Sequence, residues 1–242
     1  MSIIVIPKNL DAESDYAKLH LNVSDGLEYI GLGTDNLVKA TRNFAPNKPD
    51  GIVVGEPKMV GNVIELNSLT DYIDTGVAET SEMTFFIVGR AVNPGAVTLE
   101  HSTPVGNFSN IDGLKTGVFF RVAVTRIYFE ASRGSVSAND PNDALVSISR
   151  DATEGNTLYI GRVTNSETSI RRGANGEASK LSSTTPRLTS ERTLRIGSAV
   201  THFTGKSAMP FVAIYSRALS ENEIQEVCSS IKKLMAKKGI SV

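Results

Sequence analysis

The stretch FVAIYSRALSENEIQEV, residues 211 to 227, changes its hydrophobic period in mid-course. Phe211 to Tyr215 is a short apolar run of strand length, whereas the residues after Ala218 repeat at helical spacing. Ser220 and Glu223 stand at capping-box spacing, in which the serine hydroxyl accepts from the backbone three residues on and the glutamate reaches back. Leu219 and Ile224 hold the two hydrophobic-staple positions around that cap. Ile224, Val227, Cys228, Ile231, Leu234 and Met235 share one helical face. Lys232, Lys233, Lys237 and Lys238 lie toward the end where cations suit the helix dipole, and Gly239 is a natural stop. A chain that ends this way finishes its last strand, turns a corner, and packs an amphipathic helix against the edge of what precedes it.

What precedes it reads as β-structure. GIVVG and MVGNVIEL are β-branched runs separated by turn residues, beginning at Gly51. EMTFFIVGRA is a continuous apolar run of strand length, which predicts a central strand buried on both faces. It stops at Asn93-Pro94-Gly95, where proline suits the first corner of a type II turn and glycine the second. Val118, Phe120, Val122 and Val124 share one parity, as do Ala144, Val146 and Ile148 against Ser147 and Ser149. Period two in several segments predicts half-buried antiparallel strands. NTLYIGRV and RTLRIGS share Thr-Leu-x-Ile-Gly and predict two strands in similar surroundings; Asn175-Gly176 predicts a tight primed hairpin. The fold class expected is therefore all-β: an antiparallel β-sandwich with a C-terminal amphipathic α-helix. Residues 7–50 are more polar, so residues 1–50 are expected as a flanking arm with one or two short strands, 51–219 as the sandwich and 220–242 as the helix. Deleting residues 1 to about 45 is then expected to spare the sandwich.

The length of 242 residues suits one large β-domain, and 40% hydrophobic residues suffice for a core. A net charge of −1, with charges dispersed, offers no basic stripe for nucleic acid. No apolar run is long enough to span a bilayer, so no membrane insertion is expected, and MSIIVIPKNLDAES lacks the features of a secretory signal. Cys228, the single cysteine, excludes an intrachain disulfide and fits assembly in a reducing cytosol; on the apolar helix face it reads as a buried thiol.

The segments LRIGS, FTGKSAMP, FVAIYSRALS and ENEI resemble, in that order, the closing elements of the concanavalin A-like lectin/glucanase superfamily, in particular its laminin-G-like jelly rolls. GNVIELNSLTDYIDTG followed by MTFFIVGRA looks like the opening strands, and NTLYIGR like the strand before a hairpin, so the resemblance covers roughly residues 51 to 228. The helix ending in IKKLMAKKGISV is similar to the tails of laminin-G-like modules in phage and prophage virion proteins. The resemblance implies a concanavalin A-like jelly roll. Its members include sugar binders, glycanases and purely structural modules, so the fold alone does not choose among them. The narrower likeness implies a non-enzymatic virion module assembled in the host cytoplasm, in a capsid decoration, baseplate or tail fibre. Its partners would be other virion proteins and further copies of itself. A lectin-like module for host surface glycans is the alternative, and a glycan hydrolase a third.

The residues discriminate among these incompletely. The superfamily's glucanases carry Glu-x-Asp-x-x-Glu on one strand, and this chain has no such match; Glu65 and Glu130 stand alone. His20, His101 and His202 are not at metal-ligand spacing, no Gly-x-Ser-x-Gly elbow is present, and GLGTDN lacks the third glycine of a dinucleotide site. In ANDPNDA, Asn139, Asp140, Asn142 and Asp143 offer oxygen ligands, making Asn139, Asp140 and Asp143 the candidates for Ca²⁺, the one cofactor considered. The same residue types also serve any turn. Arg171 and Arg172, on a hairpin arm, are candidates for a carboxylate or phosphate of an acidic glycan. With no tryptophan present, stacking on a neutral sugar falls to Tyr72, Tyr128 or Tyr159.

Overall fold

The computed structural model describes residues 21–135, 140–141, 143–151 and 153–242, the side chains of 140 and 141 excepted. The apolar run in the middle of the chain forms the strand Met83–Val92, buried on both faces as its composition predicts. It pairs antiparallel with Thr157–Val163 on one side and with Lys206–Tyr215 on the other. Glu167–Arg172 and Ala178–Ser182 extend the sheet beyond the first of these. Beyond the second, Val63–Asn67 pairs with its early residues, and Leu27–Leu32 with its later ones; Lys58–Val60 completes eight strands. A second sheet of seven strands runs in the order Ala144–Ser149, Arg126–Ala131, Val118–Val122, Val105–Gly106, Arg195–Ile196, Tyr72–Asp74 and Ile52–Val54. The pairings in both are antiparallel, and the two sheets stack as a sandwich.

Strand alternation supplies two cores from one sheet. Phe85, Ile87, Val212 and Ile214 point to the second sheet and meet Phe120, Phe129, Val146 and Ile148. Phe85 lies 6.3 Å from Phe120 and 5.7 Å from Phe129, centroid to centroid. Gly161 lies beneath those rings: a Cβ there would come within 2.6 Å of Phe120 and 2.7 Å of Phe129. Phe86, Val88, Phe211, Ala213 and Tyr215 point the other way and form a second core with the helix Glu221–Lys237. Ile224, Val227, Cys228, Ile231 and Met235 are all buried there, and the Ser220–Glu223 capping box forms as its spacing predicts. The helix thus covers a sheet face rather than the sandwich edge expected for it.

Other expectations need correction. The boundary at residue 50 is not a structural break. Leu27–Leu32 is a sheet strand, and Tyr29, Ile30 and Leu32 are buried in the two cores. Polar composition hid it, because the strand is only six residues long and is interrupted by Glu28. The turn after Met83–Val92 places positive φ on Asn93 (51°), not on Gly95. The hairpin around Asn175-Gly176 has a loop spanning 173–177, and its positive φ falls on Gly173 (56°), since a longer loop does not need a primed turn. The two Thr-Leu-x-Ile-Gly segments lie in different sheets.

Candidate functional site

Alternation also decides what the second sheet shows on its outer face. With Val118, Phe120 and Val122 turned inward, Phe119 and Arg121 point outward, opposite Glu130 and Tyr128 of the neighbouring strand. The Arg121 guanidinium lies 4.1 Å from the centroid of the half-buried Tyr128 ring and 5.8 Å from that of Phe203. Arg121 Nη1 is 3.1 Å from His101 Nδ1. Arginine only donates, so Nδ1 accepts and the ring proton sits on Nε2. Burial first, then the adjacent Arg121 charge, holds the His101 pKa below its ordinary value, which keeps the ring in that neutral, accepting form. Farther along the same face Arg195 lies 4.5 Å above the Tyr72 ring.

A small aromatic cluster walls this array. Phe119 and Phe203 stack at 5.2 Å, and Phe108 lies 4.4 Å from Phe119. Gly106 pairs with Phe119 across the strands, and a Cβ at Gly106 would approach the Phe119 Cβ to 2.3 Å. Phe203 reaches its place from a strained turn: His202 and Phe203 both hold positive φ, 64° and 56°. Backbone of this kind costs of order 1–3 kcal/mol per residue and concentrates at functional sites.

Beside the aromatic wall sits a charged cluster. Glu130, 8% exposed, packs near Asp143, whose Oδ2 accepts from Lys115 Nζ at 2.5 Å. Burial and then the Asp143 charge raise the Glu130 carboxyl to about 7, against the opposing charges of Arg121 and Lys115. Asp143 Oδ1 is buried with no donor among the described residues. A proton held on Glu130 suits that neighbouring acceptor. The surface therefore combines a fixed guanidinium fork, a neutral imidazole, a carboxyl pair and a tyrosine, bordered by Ser147 and the 41%-exposed Leu145.

The sequence-predicted site residues are distributed differently. Tyr159 is 4% exposed, its ring is in the inter-sheet core and its hydroxyl donates to Glu154 Oε2 at 2.8 Å, so it offers no face to a sugar. Its place between Leu158 and Ile160 in an apolar strand run was the available sign of that burial. Arg171 and Arg172 lie on opposite faces of one strand. Arg171 Nη1 pairs with Glu221 at 2.6 Å, tying the hairpin to the helix start, while Arg172 Nη1 pairs with Glu154 at 2.9 Å and its Nη2 donates to Ser149 O at 2.5 Å. The two do not converge on one anion. Of the calcium candidates, Asn139 lies outside the described residues, as does Asn142, and Asp140 is described only by its backbone pairing with Ser135. Asp143 is engaged by Lys115, and no cluster of three or more metal-ligating side chains occurs among the described residues. His20 also lies outside them. Glu130, expected to stand alone, has Asp143, Lys115 and Arg121 around it. Sequence reasoning missed Arg121, Lys115 and the phenylalanine wall; outward parity opposite Tyr128 was the available signal for Arg121.

No known protein family matches the chain, and no curated protein matches it in sequence. Among solved structures it is similar in fold to several toxin binding domains. The botulinum neurotoxin serotype D binding domain superposes with a TM-score of 0.61 at 11% identity, over 87% of this chain and 52% of that one. The binding domain of botulinum neurotoxin DC in complex with SialylT gives 0.60 at 11% identity, over 86% and 52%. That of Paraclostridial Mosquitocidal Protein 1 gives 0.58 at 12% identity, over 85% and 52%. The chain spans about half the length of each.

Proposed function

We propose that this chain is a non-enzymatic recognition module that binds a carbohydrate through the outer face of the seven-stranded sheet. The observation that carries this reading is Arg121, held over Tyr128 and fixed by His101 beside the Glu130–Asp143 pair. Donors and acceptors alternate there over an aromatic floor, an arrangement suited to a ligand rich in hydroxyl groups. The fold neighbours lend support from outside the chain: one is captured with SialylT, and another is described as depending on two ganglioside molecules for cell entry. A hydrolytic reading lacks the same support. Glycosidase carboxylates flank the scissile bond at about 5 Å or more, whereas Glu130 and Asp143 are hydrogen-bonding neighbours and Lys115 neutralises Asp143.

A glycan array probed with the full chain, with and without EDTA, tests the reading. We expect binding that survives EDTA and falls at least about tenfold in Arg121→Ala and Tyr128→Ala, with unchanged circular dichroism. Binding that both variants retain would move the site elsewhere; binding to no glycan would remove the carbohydrate class.

The virion setting supplies a second partner class. It is carried by the resemblance of the C-terminal helix to phage module tails, and it would place other virion proteins and further copies of this chain at the remaining surface. Co-purification with intact particles, together with mass in solution, is its test.

A further inference from the structure

Away from that face, the sandwich holds two buried guanidiniums side by side. Arg133 and Arg187 form an antiparallel bridge, which turns their side chains to the same side. The Arg133 side chain is fully buried (0% exposed) and Arg187 is 2% exposed at its side chain. Arg133 gives Nη1 to the carbonyls of Asn165 (2.8 Å) and Thr185 (2.9 Å), and Nη2 to that of Thr164 (2.8 Å). Arg187 Nη2 donates to Glu79 Oε1. The other oxygen of Glu79 is already taken, by Asn107 Nδ2 at 3.0 Å and Ser190 N at 2.8 Å.

Two deficits remain. Charge does not balance: of the described carboxylates only Glu79, itself fully buried, bonds either arginine, leaving two positive charges against one negative. Hydrogen bonding does not balance either. Arg133 Nε, Arg187 Nε and Arg187 Nη1 are all buried and have no acceptor among the described residues. A buried donor without an acceptor, in a site with surplus positive charge, is costly unless something fills both needs.

We propose that a small monovalent anion of the halide class, taken from solution, is bound at Arg187 and accepts from its Nη1. One negative charge balances the surplus. A halide sheds its water more readily than a divalent oxyanion and accepts from any direction, whereas sulfate or phosphate would reverse the imbalance. A carboxylate carried by a larger molecule would have to enter where the arginine side chain is 2% exposed. Glu79, as the internal anion, competes for the same guanidinium. The site ties the segment 183–192 to Glu79, Asn107 and Arg133, so the anion would act by holding that rim of the sandwich together.

Thermal unfolding of the full chain at fixed ionic strength, with gluconate replaced stepwise by bromide, reads this directly. The expected result is a saturable rise in Tm of a few degrees. Glu79→Gln removes the competing carboxylate and should lower the half-saturating bromide concentration by about tenfold. Arg187→Lys should abolish the bromide response. The same Tm in bromide and gluconate would overturn the proposal. Should the variants fail to fold, crystals of the unaltered chain grown in bromide decide it: an anomalous peak in contact with Arg187 Nη1 supports the site, and a water or no peak there refutes it.

Discussion

Burial, helped by the neighbouring Asp143 carboxylate, holds a proton on Glu130 up to about pH 7, well above the ordinary carboxyl value of 4.5. Lys115 and Arg121 oppose that shift without cancelling it. Between pH 4.5 and 7 the folded chain therefore keeps a proton that the unfolded chain has lost, so this group makes stability fall as pH rises across the window and level off above it. Glu130→Gln should remove that part of the slope and stabilise the fold at pH 8 by ~1–3 kcal/mol, read from urea midpoints at pH 5 and 8. An unchanged slope would mean that Glu130 is ionised in the folded state. The opposite case is Glu223. Bonds from Arg217 and from the Ser220 backbone lower it to about 2, so its contribution is present above its ordinary value and is lost as pH falls through about 2. Its partner Ser220 caps the helix, and Ser220→Ala should cost about 1 kcal/mol in the same assay.

At the scale of elements, the helix covers the eight-stranded sheet from outside, and the first described strand is part of that sheet and contributes to both cores. Leu219 and Ile224 staple the helix to its cap, and Ile224→Ala should cost ~2–5 kcal/mol because the site is fully buried. The strand Leu27–Leu32 carries as much consequence. Removing residues through 45 takes away Tyr29, Ile30 and Leu32, together with the Asn43 side chain that accepts from Ile30 N and donates to Glu28 O. Such a truncation should give a product with no cooperative thermal transition; a sharp transition near that of the full chain would show the strand to be dispensable. This element is also where sequence patterns stop informing. The helix was legible because its cap, staple, apolar stripe and stop all agree, and Met83–Val92 because a run of that length has few alternatives. Leu27–Leu32 was not, since LEYIGL lies among polar residues and draws its stability from pairing with the distant Phe211–Tyr215. The outer-face array was legible only in its members, not in their meeting: parity turns Arg121 outward, and Tyr128, Glu130 and Asp143 stand out by type. Arg121, Tyr128, Glu130 and Asp143 meet only through strand register, while Phe203 arrives from a strained turn. Tyr159 and the arginine pair looked available because sequence shows residue type without showing which salt partner or ring already occupies it.

In the whole molecule the eight-stranded sheet is the shared wall of both cores. Met83–Val92 sends Phe85 and Ile87 to one and Phe86 and Val88 to the other, and Lys206–Tyr215 divides its side chains the same way. Neither core can open without unpacking strands that also line the other, so inter-sheet and helix layers should unfold as one cooperative unit. The chain carries its own probe for this. Cys228 is its single cysteine, is buried between helix and sheet, and has its thiol pushed up to about 11 by burial, so it is unreactive while the layer is closed. A thiol reagent at pH 8 in increasing urea reports opening of the helix layer, and near-ultraviolet circular dichroism of the phenylalanine-rich inter-sheet core reports the other. Coincident midpoints are expected. Labelling of Cys228 well before the aromatic signal changes would show that the helix detaches by itself. The sandwich would then be the smaller folding unit, and the helix a separable attachment element rather than part of the rigid body that presents the outer face.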